Sequence, residues 1–102
     1  MAFKISITAA AKRQFQALPA RDQRILTAAI SVRLRYEPTK STKAIRRMRP
    51  NPLVEYELRV RDLRVLYNVE AGDVIVVVIG RKVGNILMVE GEEFHGYQDD
   101  PA

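Results

Sequence analysis

Six consecutive residues, Val74–Ile79, all valine or isoleucine, constrain the fold of this chain more than any other feature. An unbroken apolar run of strand length, bounded by Asp73 and Gly80, is the pattern of a central strand covered on both faces. A chain carrying it must build a sheet with something packed on each side. With 102 residues there is room for one such core and not for a second domain. The run falls far short of the ~20 residues that span a bilayer. The opening MAFKISIT alternates like a strand, without the apolar centre of a secretory signal. Together with the lack of any cysteine, this points to a soluble protein of a reducing cytoplasm.

The covering elements are legible upstream of the run. Phe3, Ile5 and Ile7 alternate with Lys4 and Ser6, the period of a half-buried strand. Thr8 stands where a helix N-cap belongs, because its hydroxyl can accept a free backbone N–H one turn on. Ala11, Phe15 and Leu18 then share one face of a helix over Ala9–Leu18, which Pro19 stops. A second helix restarts near Asp22, with Ile25, Ala28, Ala29, Val32 and Tyr36 as its apolar stripe, and ends before Pro38. Thr39–Pro52 is polar and basic and reads as a long exposed loop, with a short helical turn as an option around Ala44–Met48.

Beyond Pro52 the period changes to two. Tyr56, Leu58 and Val60 alternate with Glu57, Arg59 and Arg61, and a tight turn at Arg61–Asp62 leads into Leu63, Val65, Tyr67 and Val69. Ala71, Gly72 and Asp73 make the next hairpin, and Ile86–Val89 reads as a short final strand. The order β-α-α-β-β-β(-β) predicts an α+β domain: a helical hairpin packed on a small, mainly antiparallel sheet of four to five strands. Residues 1–90 form that domain, and 91–102 form an acidic tail without period.

Charge narrows the partners. Seventeen basic and 12 acidic residues give a net +5. Residues 1–64 carry fifteen of the basic and five of the acidic groups, whereas 90–102 carry no basic group and five acidic ones. A basic body with an acidic tail favours a polyanionic partner, and the tail has the option of folding back over the positive surface. One histidine and no cysteine exclude the usual clustered metal-ligand sets, so neither a metal nor a cofactor is expected.

Three constellations carry candidate chemistry. Lys40, Lys43, Arg46, Arg47 and Arg49 crowd ten residues, a density suited to phosphate contacts, the alternative being a solvated loop. On the paired strands, Glu55, Glu57, Arg59 and Arg64 are expected on one face, opposite the apolar one. A carboxylate beside guanidinium groups can take the proton of a ribose 2′-hydroxyl and stabilise charge on the phosphorus oxygens, without a metal. Ordinary cross-strand salt bridging is the alternative there. Arg81 and Lys82 follow the buried strand directly, at a rigid sheet end. The lone histidine, His95, lies in the acidic tail, where such a residue is more often incidental than catalytic.

The helical hairpin followed by YELRVRDLRVLYNV and DVIVVVIGRK resembles the RelE/ParE toxin superfamily of bacterial toxin–antitoxin systems, over about Phe3 to Lys82. The resemblance implies two helices backing a small sheet. For its RelE branch it implies a ribosome-dependent messenger RNA endonuclease that inhibits translation, restrained by an acidic antitoxin that folds on binding. It places Arg59, Arg64 and Arg81 at basic catalytic positions and Glu57 where some members carry lysine, with Arg61 and Lys82 beside them as further RNA contacts. It also implies a tyrosine or histidine acting as acid or base near the last strand; Ile86–Val89 has neither, and His95 and Tyr97, beyond Gly91, are the late candidates. The ParE branch implies a non-enzymatic inhibitor of DNA gyrase, and a basic binding module without toxicity stands as a third reading.

Overall fold

In the computed structural model, residues 2–95 and Tyr97 are described. Strand β1 (Lys4–Ile7) leads into helices α1 (Ala9–Gln16) and α2 (Ala20–Arg33), followed by β2 (Ile45–Arg47), β3 (Tyr56–Val60), β4 (Leu63–Glu70), β5 (Asp73–Val83), β6 (Ile86–Val89) and β7 (Glu92–Glu93). One sheet contains all seven strands. Its order is β2-β3-β4-β5-β6-β7, every pair antiparallel, with β1 parallel to β5.

The long apolar strand does what its sequence demands. β4 lines one β5 edge from Asp73 to Arg81, so β1 and β6 share the other, β1 against Asp73–Val76 and β6 against Arg81–Val83. Between them α1 takes over: the Ile79 backbone N–H donates to the Gln14 side-chain carbonyl at 2.8 Å. Gly80 is required for the close approach of β6, because a Cβ there would lie 2.6 Å from the Met88 carbonyl oxygen.

The helices form for the local reasons the sequence carries. Thr8 caps α1, its hydroxyl accepting from the Ala11 N–H at 3.1 Å, and Ala11, Phe15 and Leu18 face the core. Pro19 begins α2 as its N-cap, so one proline both stops the first helix and starts the second. The inward stripe of α2 differs from the expected one. Leu26, Ala29, Ile30 and Leu34 pack on the sheet, while Val32 and Tyr36 are 73% and 62% exposed.

Two strands go beyond the sequence-based count. Ile45–Arg47, expected as loop or helical turn, is the edge strand β2, with Ile45 opposite Leu58 and Arg46 opposite Glu57. The expected tail begins inside the sheet: β7 pairs with β6, and Phe94 N–H donates to the Leu87 carbonyl at 2.8 Å.

The sheet separates two apolar clusters. Beneath the helices lie Leu58, Leu63, Val65, Tyr67, Val74, Val76 and Ile79 with Leu26 and Leu34. Tyr67 stacks on Tyr56 at 5.6 Å and donates its hydroxyl to the Pro38 carbonyl at 2.5 Å, and burial holds the phenol well above its ordinary pKa. On the other face a smaller cluster gathers Val54, Leu66, Val78 and Leu87 under Met48, Phe94 and Tyr97.

Candidate functional site

Strand alternation puts Glu57 and Arg59 on the face opposite Tyr56, Leu58 and Val60, away from the helices. Register then assembles the rest. Arg59 lies directly opposite Arg64, Glu57 lies between Arg46 and Leu66, and Arg64 faces Gly80 on β5. Two residues further along β5, Lys82 joins the same face, opposite Leu87. The helix-free face therefore collects Arg46, Glu57, Arg59, Arg64 and Lys82. Glu55 precedes β3 and is exposed.

Glu57 is only 3% exposed, and both of its carboxylate oxygens are engaged. Oε1 accepts from Arg59 Nε at 2.7 Å, and Oε2 accepts from the Tyr97 hydroxyl. The structure thus brings one of the two late aromatic candidates onto the carboxylate, forty positions away in sequence. His95 is exposed in the turn before it and lines a small pocket with Phe94 and Tyr97.

Arg64 is the costly residue of the face. It is 8% exposed, and its Nη1 donates to the backbone carbonyls of Arg61 and Leu63 at 2.7 and 2.9 Å. Its Nε is buried and has no hydrogen-bond partner, and among the described residues no carboxylate pairs with it. Two arginines directly opposite each other repel, and a buried donor without a partner costs ~1–3 kcal/mol. A face that retains both costs suits an anionic ligand, which would relieve them together.

Arg81 does not join this group. Its cross-strand partner is Leu63, so it points to the helix side. There it donates to Asp22, in the first turn of α2, and to Asp62 in the β3–β4 turn at 2.7 Å. Those hydrogen bonds raise its pKa, Asp62 contributing most. Arg81 ties three elements together as a structural clamp. The basic loop is divided in the same way. Arg46 faces the site, while Arg47 lies over the Tyr56 ring, 5.6 Å from its centroid, and bonds its hydroxyl at 3.2 Å. Lys40 is exposed and pairs with Glu37 at 3.4 Å. Lys43, Arg49 and Arg61 are exposed, Arg61 with a φ of 58° in its turn.

A helical hairpin packed on one face of a mainly antiparallel sheet is a RelE-like fold. The likeness is seen in solved structures. A chain of the toxin–antitoxin complex RelBE2 from Mycobacterium tuberculosis matches with a TM-score of 0.66 and 18% identity, over 80% of this chain and all of that one. A chain of the archaeal RelE–RelB complex from Pyrococcus horikoshii matches with a TM-score of 0.65 and 21% identity, over 79% of this chain and 96% of that one. No family model and no curated protein matches the sequence. Among the described residues no helix is long and apolar enough to cross a membrane.

Proposed function

We propose that this protein is the toxin of a toxin–antitoxin pair, and that its helix-free sheet face holds RNA and cleaves messenger RNA on the ribosome. The observation that carries the reading is the Arg59–Arg64 pair, cross-strand neighbours with one guanidinium buried and incompletely bonded, on a RelE fold. Arg46 and Lys82 extend the positive face to either side. The exposed Lys40, Lys43, Arg49 and Arg61 are suited to ribosomal RNA phosphates.

The chemistry this face supports is transesterification. The ribose 2′-hydroxyl attacks the adjacent phosphorus as Glu57 takes its proton, and Arg59 and Arg64 stabilise the charge gathering on the phosphorane oxygens. The bond to the 5′-oxygen breaks, that oxygen takes a proton from solvent, and a 2′,3′-cyclic phosphate remains. Arg81 takes no part beyond holding the sheet end. The two similar structures described above are a toxin–antitoxin complex and a RelE–RelB complex. That supports an acidic antitoxin as the cytoplasmic partner of this basic body.

Expression without an antitoxin, followed by mapping of messenger RNA ends on translating ribosomes, tests the reading. Discrete cuts are expected, lost in an Arg59→Ala, Arg64→Ala double variant and retained in a folded Arg81→Ala variant. One observation favours a second reading, a non-enzymatic toxin of the ParE kind acting on DNA gyrase: Glu57 has both oxygens occupied by side chains of its own chain. Growth arrest with intact messages and induced DNA damage would establish that alternative.

A further inference from the structure

The segment after β6 reaches Glu57, the carboxylate that the proposed reaction uses as its base. It turns back through Glu90 and Gly91, both with positive φ (52° and 81°), a two-residue reversal in which glycine adopts the left-handed conformation without strain. β7 holds it to the sheet through two residue pairs, Met88 with Glu93 and Val89 with Glu92, and the Phe94 N–H bond to the Leu87 carbonyl extends the attachment by one residue. Phe94 and Tyr97 then lie on the small apolar cluster of the helix-free face. A small pocket of about 170 Å³ lies between Phe94, His95 and Tyr97 on one side and Met48, Val54 and Leu66 on the other.

The contact that ends this path has the form of a substrate contact. A general base is approached by a hydroxyl that donates to it, and Tyr97 donates its hydroxyl to Glu57 Oε2, while Arg59 holds Oε1. An aromatic ring carries that hydroxyl, and Glu90, Glu92 and Glu93 bring negative charge on the same segment. Hydroxyl and planar ring meet the carboxylate as those of a nucleotide would, whereas Glu90, Glu92 and Glu93 gather with Arg13 and Gln14 beside α1.

We propose that Glu90–His95 and Tyr97 form an autoinhibitory pseudosubstrate strap, which caps Glu57 and must lift from it before RNA engages the neighbouring Arg59–Arg64 pair. The covering of Glu57 is independent of what the face binds, whereas the gating rests on the RNA reading above. A carboxylate-labelling measurement separates the two. Carbodiimide and a small amine, with mass spectrometry, report the accessibility of Glu57 in the full chain, and a single-stranded RNA oligonucleotide at low salt reports binding.

In the wild type Glu57 labels slowly. In Tyr97→Phe, which removes only the hydroxyl, and in Phe94→Ala, which removes the apolar anchor, labelling is expected to rise about tenfold and RNA affinity several-fold. Cooperative urea unfolding of both variants establishes that the sheet is intact. Unchanged labelling in both folded variants overturns the strap. Faster labelling with unchanged RNA affinity, where Arg59→Ala and Arg64→Ala do weaken binding, overturns the gating. Should neither arginine variant weaken RNA binding, the RNA reading of the face fails, and the gating with it.

Discussion

The two faces of the sheet use arginine in opposite ways. On the helix side Arg81 is about a third exposed and has a carboxylate on each side, Asp22 and Asp62. On the helix-free side Arg64 is more deeply buried, yet it bonds only two backbone carbonyls and keeps its Nε unmatched. A cation answered by its own chain is there to hold elements together. A buried cation with no carboxylate partner among the described residues, opposite a second arginine, is held at a cost to stability. The apolar residues follow the same division. The helix side carries the continuous core, and the other side carries a small cluster that the C-terminal segment completes.

If the division is real, truncations on the two faces differ in cost. Leu58→Ala, in the helix-side core with its side chain fully buried, should destabilise by about 2–5 kcal/mol in urea unfolding. Phe94→Ala, half-buried on the other face, should cost roughly 1–2 kcal/mol, less than a full core truncation. Equal costs would mean that the small cluster is as integral to the fold as the main core.

Tyr67 gives the helix side a pH signature. Its phenol is held protonated by burial, so its folded pKa lies above the unfolded value of 10.0. The stabilisation is fully present below that value and is lost as pH rises through the folded pKa, because the unfolded chain releases the proton first. Tyr67→Phe should cost about 1 kcal/mol at neutral pH, through the lost bond to Pro38, and flatten the fall in stability above pH 10. An unchanged alkaline slope would assign that fall to other groups.

Much of this was readable in the residues, and the exceptions have physical causes. The cap at Thr8, the change from helical to strand period and the apolar run of β5 are local signals, and each formed as expected. β2 carries one apolar residue, Ile45, in three, too few to show a period; it is a strand because β3 supplies its hydrogen bonds. In α2 the apolar residues ring more than one side, so composition could not say whether Leu26 or Val32 faces inward. The same ambiguity moved Arg81. An all-apolar strand hides which side chains point where, and β4–β5 pairing is further shifted by an irregularity at Leu66/Tyr67. Arg59 and Arg64 were assigned to one face because β3 and β4 alternate cleanly. Tyr97 sits in a stretch without period, and nothing local announces its contact with Glu57.

The contrast between the two arginines yields the smallest stability changes and the clearest functional ones. Arg64→Met keeps apolar volume while removing a buried charge, and should leave stability unchanged or raise it by ~1 kcal/mol. Arg81→Met breaks a partly exposed double pair and should lower stability by no more than ~1 kcal/mol, since solvent screens much of that interaction. The decisive measurement is the salt dependence of single-stranded RNA binding in these two variants. Each lost phosphate contact lowers the slope of log K against log salt by about 0.7. The account predicts that this decrease, together with weaker binding, appears in Arg64→Met and is absent from Arg81→Met. Equal slopes in the two variants, or a decrease confined to Arg81→Met, would contradict the assignment of the helix-free face to RNA.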